Sequence, residues 1–276
     1  MTEVTLAAGF AVLAWWFTTG IILFLDGLPR HTFRRSMAGA SLIAIVAAFA
    51  LHMSANEVSV TGAYTAFLSS VLIWGWLEMS FLMGFVTGPR KSACAEACAG
   101  GRHFLHATQA IIYNELATLG AASLVVATTW HYPNKVGLWT FLVLWTMRLS
   151  AKLNLFFGVP NTGDNLLPPH LQYLKSFFRK RAMNPLFPIS ICASTAVAAV
   201  LIRKCMLATP GFPSVGLALV ASLLALAVLE HWFMILPWKS EKLWNWGLKS
   251  HRVGVAPAAV LARATARART RTSAQS

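Results

Sequence analysis

Long apolar runs separated by short polar stretches set the pattern of this chain. Seven runs cover approximately Val4–Leu25, Met37–Ala55, Val60–Val86, Phe104–Trp130, Val136–Val159, Pro185–Leu207 and Phe212–Ile235. A helix of about 20 residues, rising about 1.5 Å per residue, matches the roughly 30 Å of hydrocarbon in a bilayer. The runs lack the period-two alternation of a membrane barrel, so the pattern predicts helices. The expected fold class is all-α: a polytopic membrane helical bundle of seven transmembrane helices in one domain, residues 1–252. No internal repeat of the kind that builds many transporters is visible.

The longest connection lies between the fifth and sixth spans. After Pro168-Pro169, Leu171, Leu174 and Phe178 recur at helical spacing beside Lys175, Arg179 and Lys180. This predicts an amphipathic loop helix over about 168–181, lying in the cytoplasmic interface with its basic groups toward anionic lipid. Residues 253–276 are Ala/Arg/Thr-rich and read as a disordered cytoplasmic tail. No aromatic residues interleave with its arginines, so nucleic acid is not an expected partner.

Composition supports a membrane class. Hydrophobic residues make up 57% of the 276 residues and charged residues 12%, and mean hydropathy is +0.59. An ordinary soluble domain carries about a quarter charged residues, and one of this size has too little interior for so much apolar surface. Lys and Arg number 23 against 9 Asp and Glu. Eighteen of the basic residues fall in the 1–2, 3–4 and 5–6 connections and the C-terminal segment, against Lys135, Arg203 and Lys204 on the other side. By the positive-inside rule the N-terminus lies outside and the C-terminus in the cytoplasm. The N-terminal run has an acid and no base before it, unlike a secretory signal.

Ionisable groups inside spans cost several kcal/mol unless paired or hydrated, which makes each a candidate. Glu78, Glu115, Arg148, Lys152 and Glu230 all fall in the cytoplasmic half of their spans, roughly 8–17 Å deep at about 1.5 Å per residue, with His231 next to Glu230 in the seventh span. His103 and His106 open the fourth span and Asp26 closes the first. Arg148 and Lys152 are four apart on one helix, so Glu78, Glu115 and Glu230 could neutralise them and simply fix helix neighbours. The functional alternative is one polar cavity, open to the cytoplasm, holding a ligand, a pigment head group or a metal.

A metal is not expected. Glu230 and His231 are adjacent and point about 100° apart, and His106 and Glu115 are about 13 Å apart along the axis, unlike a compact two-metal centre. Cys94 and Cys98 have no second cysteine pair in their loop. His103 and His106 could ligate the central ion of a tetrapyrrole or be interfacial histidines. The tryptophans fit interfacial belts. No phosphate-binding loop, dinucleotide fingerprint or nucleophile elbow is present.

Several stretches carry a resemblance: TGIILFLDGLPR (19–30), WGWLEMSFLMGFVTGPRK (74–91), RHFLHATQAIIYNELA (102–117), RLSAKLNLFFGVPN (148–161), LPPHLQYLKSFF (167–178) and LEHWFMILP (229–237). Together they resemble the PuhE family, photosynthetic complex assembly protein 2 of purple phototrophic bacteria. The resemblance implies a multi-pass bacterial inner-membrane protein that assists assembly of the reaction centre and light-harvesting complex. It also implies a link to supply of bacteriochlorophyll or a precursor. Reaction-centre or antenna subunits and pigment-biosynthesis proteins are the implied partners. No reaction is implied; a membrane enzyme using Glu115, His106, Glu230 and His231 on a tetrapyrrole or isoprenoid remains the alternative, and a transporter ranks below it. The family's recurrent polar positions correspond here to Asp26, Glu78, His103, His106, Glu115, Arg148, Lys152, Asn154, Asn161, His170, Glu230 and His231. The loop before His170 is less acidic than that pattern, and the Cys94/Cys98 pair and arginine-rich tail match nothing in it.

Overall fold

In a computed structural model, residues 1–95, 98–163, 166–238 and 240–250 are described. Seven long α-helices run in order: α1 Thr2–Asp26, α2 Phe33–Ser54, α3 Val60–Leu82, α4 Gly100–Thr129, α5 Val136–Phe157, α6 Leu186–Leu207 and α7 Phe212–Phe233. There is no strand among the described residues. The expected apolar runs are recovered as helices with ends shifted by a few residues. The expected disordered tail, 253–276, lies outside the described residues.

Six of the seven helices are long and apolar enough to cross a membrane on composition alone. The seventh, α5, carries Arg148 and Lys152. It packs against α3, α4, α6 and α7, so its polar side chains turn inward to protein. Outward-facing Leu42, Ile45, Phe49, Leu116 and Val197 are exposed, an apolar girdle that water would not tolerate and lipid does.

The odd-numbered helices form the centre: α1 touches α3 and α7, and α5 bridges α3 and α7. Connections across the bundle make all four run in the same direction, with α2 against α3 and α6 against α7 on the outside. Their N-terminal halves close tightly on small residues. Ala7, Ala11, Ala63, Ala66 and Ala218 are buried around Phe67 and Phe141, as expected where helices associate by close packing rather than by the hydrophobic effect. A Cβ on Gly137 would lie 2.4 Å from the Leu51 methyl, 3.0 Å from Ser70 Oγ and 3.1 Å from the Ala66 carbonyl. Ser70 Oγ donates to the Gly137 carbonyl at 2.8 Å, and Asn134 donates to the Ser54 and Gly62 carbonyls at 3.0 Å each. Ser59 caps α3 by accepting from Gly62 N–H at 2.9 Å.

At the opposite, arginine-rich end the connections fold back over the helices. The segment expected as an amphipathic α-helix is a 3-10 helix, Pro169–Phe177. Its period of three puts Leu171, Leu174 and Phe177 in one row, buried against Phe81 of α3 and Ala110 of α4. That row docks on protein, and Phe178, expected in the stripe, is only partly buried beside it.

Candidate functional site: a cleft among four parallel helix ends

Where the N-terminal halves of α1, α3, α5 and α7 close, their C-terminal halves part around a half-open cavity of about 520 Å³. Its walls come from Trp15 and Thr18 of α1, Val71 and Glu78 of α3, Met147 and Arg148 of α5, and Leu223 and Glu230 of α7. The floor comes from the 160–163 turn, held to α7 by Asn161 N–H donating to the Met234 carbonyl at 3.0 Å. The Asn161 side-chain amide also donates to the Phe233 carbonyl at 3.1 Å and to Leu236 O. Arg148 and Lys180 are basic residues in the cavity lining.

The Arg148 guanidinium donates to Glu78 Oε2 at 2.8 Å, tying α5 to α3. Its Nε is buried with no hydrogen-bond partner among the described residues. Glu230 faces the same cavity from α7 and is approached by the Trp15 indole N–H. His231 is fully engaged. Its Nδ1 donates to the Ala227 carbonyl at 2.9 Å, which leaves Nε2 to accept from Ser150 Oγ–H at 2.9 Å. That imidazole therefore braces α7 against α5.

The remaining expected residues divide into three groups. Lys152 pairs with Glu115 at 2.6 Å, joining α5 to α4, with its amine 5.6 Å from the Phe81 ring. Neither lines the cleft. Residues four apart on a helix are offset by about 40° around the axis, enough for Arg148 to meet α3 while Lys152 meets α4. The shared depth in the sequence thus corresponds to two ion pairs of which only one borders the cavity. This corrects the expectation of a single pocket.

Asn154 is fully buried and structural. It donates to the Ser150 carbonyl at 2.9 Å and accepts at 3.1 Å from Asn184, whose Oδ1 in turn accepts from Leu186 and Phe187 N–H where α6 begins. Asp26 is buried at the end of α1.

His103, His106 and His170 belong to the layer of connections. The His103 ring is buried between Phe156 at 5.3 Å and Phe177 at 5.8 Å. His106 Nδ1 lies 3.5 Å from Cys94 Sγ and 3.2 Å from Cys98 Sγ. His170 Nε2 donates to the Leu82 carbonyl at 2.7 Å. Burial pushes the His170 imidazole below its ordinary value of 6.5. The Arg30 charge pushes the same way, against the Leu82 bond. Gly84, at φ +80°, lets the chain turn beneath that ring, which a Cβ would approach at 3.1 Å.

The tryptophans hold what the sequence reading did not foresee. Residues 240–250 fold back on α1, with Trp244 N–H donating to the Trp16 carbonyl at 3.1 Å and Trp16 N–H to the Leu243 carbonyl at 2.9 Å. Trp246 fills the notch over Gly20, where a Cβ would stand 2.0 Å from the indole. Trp15, Trp238 and Trp244 consequently line the cleft rather than only an interfacial belt. A Gly in an apolar span, followed far downstream by W-N-W, is the signal in hindsight.

Comparisons with known proteins agree with this architecture in extent. The family described as "Protein of unknown function (DUF3623)" matches residues 1–254. A protein of Rhodobacter capsulatus, described as "Uncharacterized 30.4 kDa protein in puhA 5'region", is 39% identical over 256 residues, covering 91% of this chain and 93% of the relative. No solved structure matches the chain. With a match running from the first residue through the last described helix, the chain belongs to the DUF3623 family.

Proposed function

We propose that this chain is an assembly factor of the PuhE type for photosynthetic membrane complexes, resident in a bacterial inner membrane. In this reading its cleft receives the polar head of an apolar client, bacteriochlorophyll or a precursor, for delivery to reaction-centre or light-harvesting subunits. The observation that carries the reading is the Arg148–Glu78 pair standing in the wall of a half-open 520 Å³ cavity with a buried guanidinium Nε left over. Small-molecule sites span about 300–1,000 Å³ and combine apolar walls with a few fixed polar groups. Thr18, Glu230 and the Arg148 guanidinium supply those groups here, and Val71, Leu223 and the tryptophans supply the walls.

Two further findings support the context. The 39% identical relative is described by its position 5' of puhA, and six stretches of this chain resemble the PuhE family. The enzyme alternative loses its geometric basis. Glu115 is taken up by Lys152 and His106 stands beside two cysteines, neither of them in the cleft with Glu230 and His231.

Deletion of the gene in its phototrophic host, followed by complementation, tests this. The deletion is expected to lower reaction-centre and antenna absorption. The intact gene restores it, and Arg148→Ala, at normal membrane abundance, does not. Normal complexes in the deletion strain would refute the proposal.

A further inference from the structure

Three soft or borderline ligands meet outside the cleft. Cys94 and Cys98 lie on the connection between α3 and α4, with Cα atoms 6.1 Å apart, and His106 sits on the second turn of α4. The three ligand atoms lie within 4.8 Å of one another, each partly buried. Both cysteines have a fixing feature nearby. Cys94 N–H donates to Ser176 Oγ at 2.9 Å, and Gly100, at φ +61°, turns the chain from Cys98 into α4. The structure brings the two sulfurs into disulfide contact. His106 Nδ1 faces both sulfurs, at 3.5 and 3.2 Å, so the three ligand atoms converge on one point.

Those separations have a simple chemical meaning. A tetrahedral zinc ion with Zn–S near 2.3 Å and Zn–N near 2.0–2.1 Å holds sulfur and nitrogen about 3.5 Å apart and its two sulfurs about 3.8 Å apart, so the two sulfurs must separate from their present contact to take up the ion. The connection also belongs to the arginine-rich end, which the positive-inside bias assigns to the cytoplasm, where thiols are kept reduced. Arg90, Lys91 and Arg102 flank the group in sequence, and nearby cations favour thiolate over thiol.

We propose that Cys94, Cys98 and His106 bind a single thiophilic divalent cation, Zn²⁺ by the character of the set, through two thiolates and His106 Nδ1. No fourth Cys, His, Asp or Glu joins them among the described residues. Binding releases the two thiol protons and needs no oxidant. The ion would pin the α3–α4 connection to α4 and to the 3-10 helix through Ser176. This assignment is independent of the cleft, and it reverses the sequence expectation, which weighed the cysteines without His106.

The test uses the full chain, purified in mild detergent with reductant and no added metal. Elemental analysis is expected to find about one zinc per chain. A mercurial thiol reagent releases it from the unaltered protein, so the result does not depend on any variant folding. Co²⁺ in its place gives thiolate-to-metal charge-transfer absorption. Cys94→Ser with Cys98→Ser, and separately His106→Ala, lose the metal, and Cys192→Ser keeps it. Background zinc in the unaltered protein, a Cys94–Cys98 bond found by alkylation of protein trapped directly from cells, or zinc retained by the double cysteine variant would each overturn the assignment.

Discussion

The two ends of the same four helices behave oppositely. Toward their N-termini, α1, α3, α5 and α7 present Ala, Gly and Ser and close until a single methyl no longer fits at Gly137. Toward their C-termini they present Trp15, Glu78, Arg148 and Glu230 and part around a cavity. Backbone hydrogen bonding is alike in both halves, so side-chain volume and charge make the difference. Small residues let helices approach, and large polar groups that must pair or stay hydrated hold them apart. A closed end gives the bundle its register, and an open end leaves a cavity between the helices.

Glycines test that contrast most sharply. Gly137→Ala at the closed end pushes a methyl against Leu51, Ser70 and the Ala66 carbonyl. It should cost about 2 kcal/mol, within the range for overpacking and after allowing for alanine's better helix propensity. Gly75→Ala at the cleft meets only an Ile22 methyl at 3.7 Å. It should be neutral or stabilise by up to about 1 kcal/mol. Unfolding of both variants in detergent measures this, and equal destabilisation would erase the distinction.

The two ion pairs give a smaller effect. Lys152–Glu115 lies away from the cleft with side chains 18% and 24% exposed. A double-mutant cycle with Lys152→Met and Glu115→Gln should give a coupling of about 1 kcal/mol, between exposed and buried pairs. The double variant should leave client binding unchanged, and loss of binding in it would move the site away from the cleft.

The smallest effect is one of pH. The imidazole of His170 is held below 6.5 when folded, so the unfolded chain takes up a proton that the folded chain refuses. Stability should therefore fall as pH drops below about 6.5, level off below the folded pKa, and stay unaffected by this group at higher pH. Hydrogen exchange over 166–178 should rise in step, and His170→Asn should flatten the slope. A slope unchanged in that variant would assign the effect elsewhere.

Much of the fold is legible because lipid imposes it. An apolar run of the right length must be a helix, which is why the seven runs emerge as helices with small errors in their ends. Inverse logic held for charge: Glu78, Glu115 and Glu230 could be anticipated as neutralising partners of Arg148 and Lys152, because few acids were on hand at that depth, but which acid meets which base comes only from the packing. Which pair borders a cavity was not legible, since it depends on a 40° rotation around α5 and on which helices sit next to it. The row Leu171–Leu174–Phe177 was visible as a periodicity, but whether lipid or protein covers it is settled by long-range packing. His106 was weighed with Glu115 along one helix, while its partners come from the preceding loop. Trp244 and Trp246 looked like belt residues because folding back onto Gly20 leaves almost no local pattern.

The central claim is that the open ends of the odd-numbered helices bind a client through Arg148. The most direct measurement is the pigment bound per chain after mild-detergent purification of the full-length protein from phototrophically grown cells, unaltered and as Arg148→Met. The account predicts bound tetrapyrrole with the unaltered chain and a loss of tenfold or more with Arg148→Met at equal yield and unfolding temperature. Equal pigment on both, or none on the unaltered chain, would contradict it.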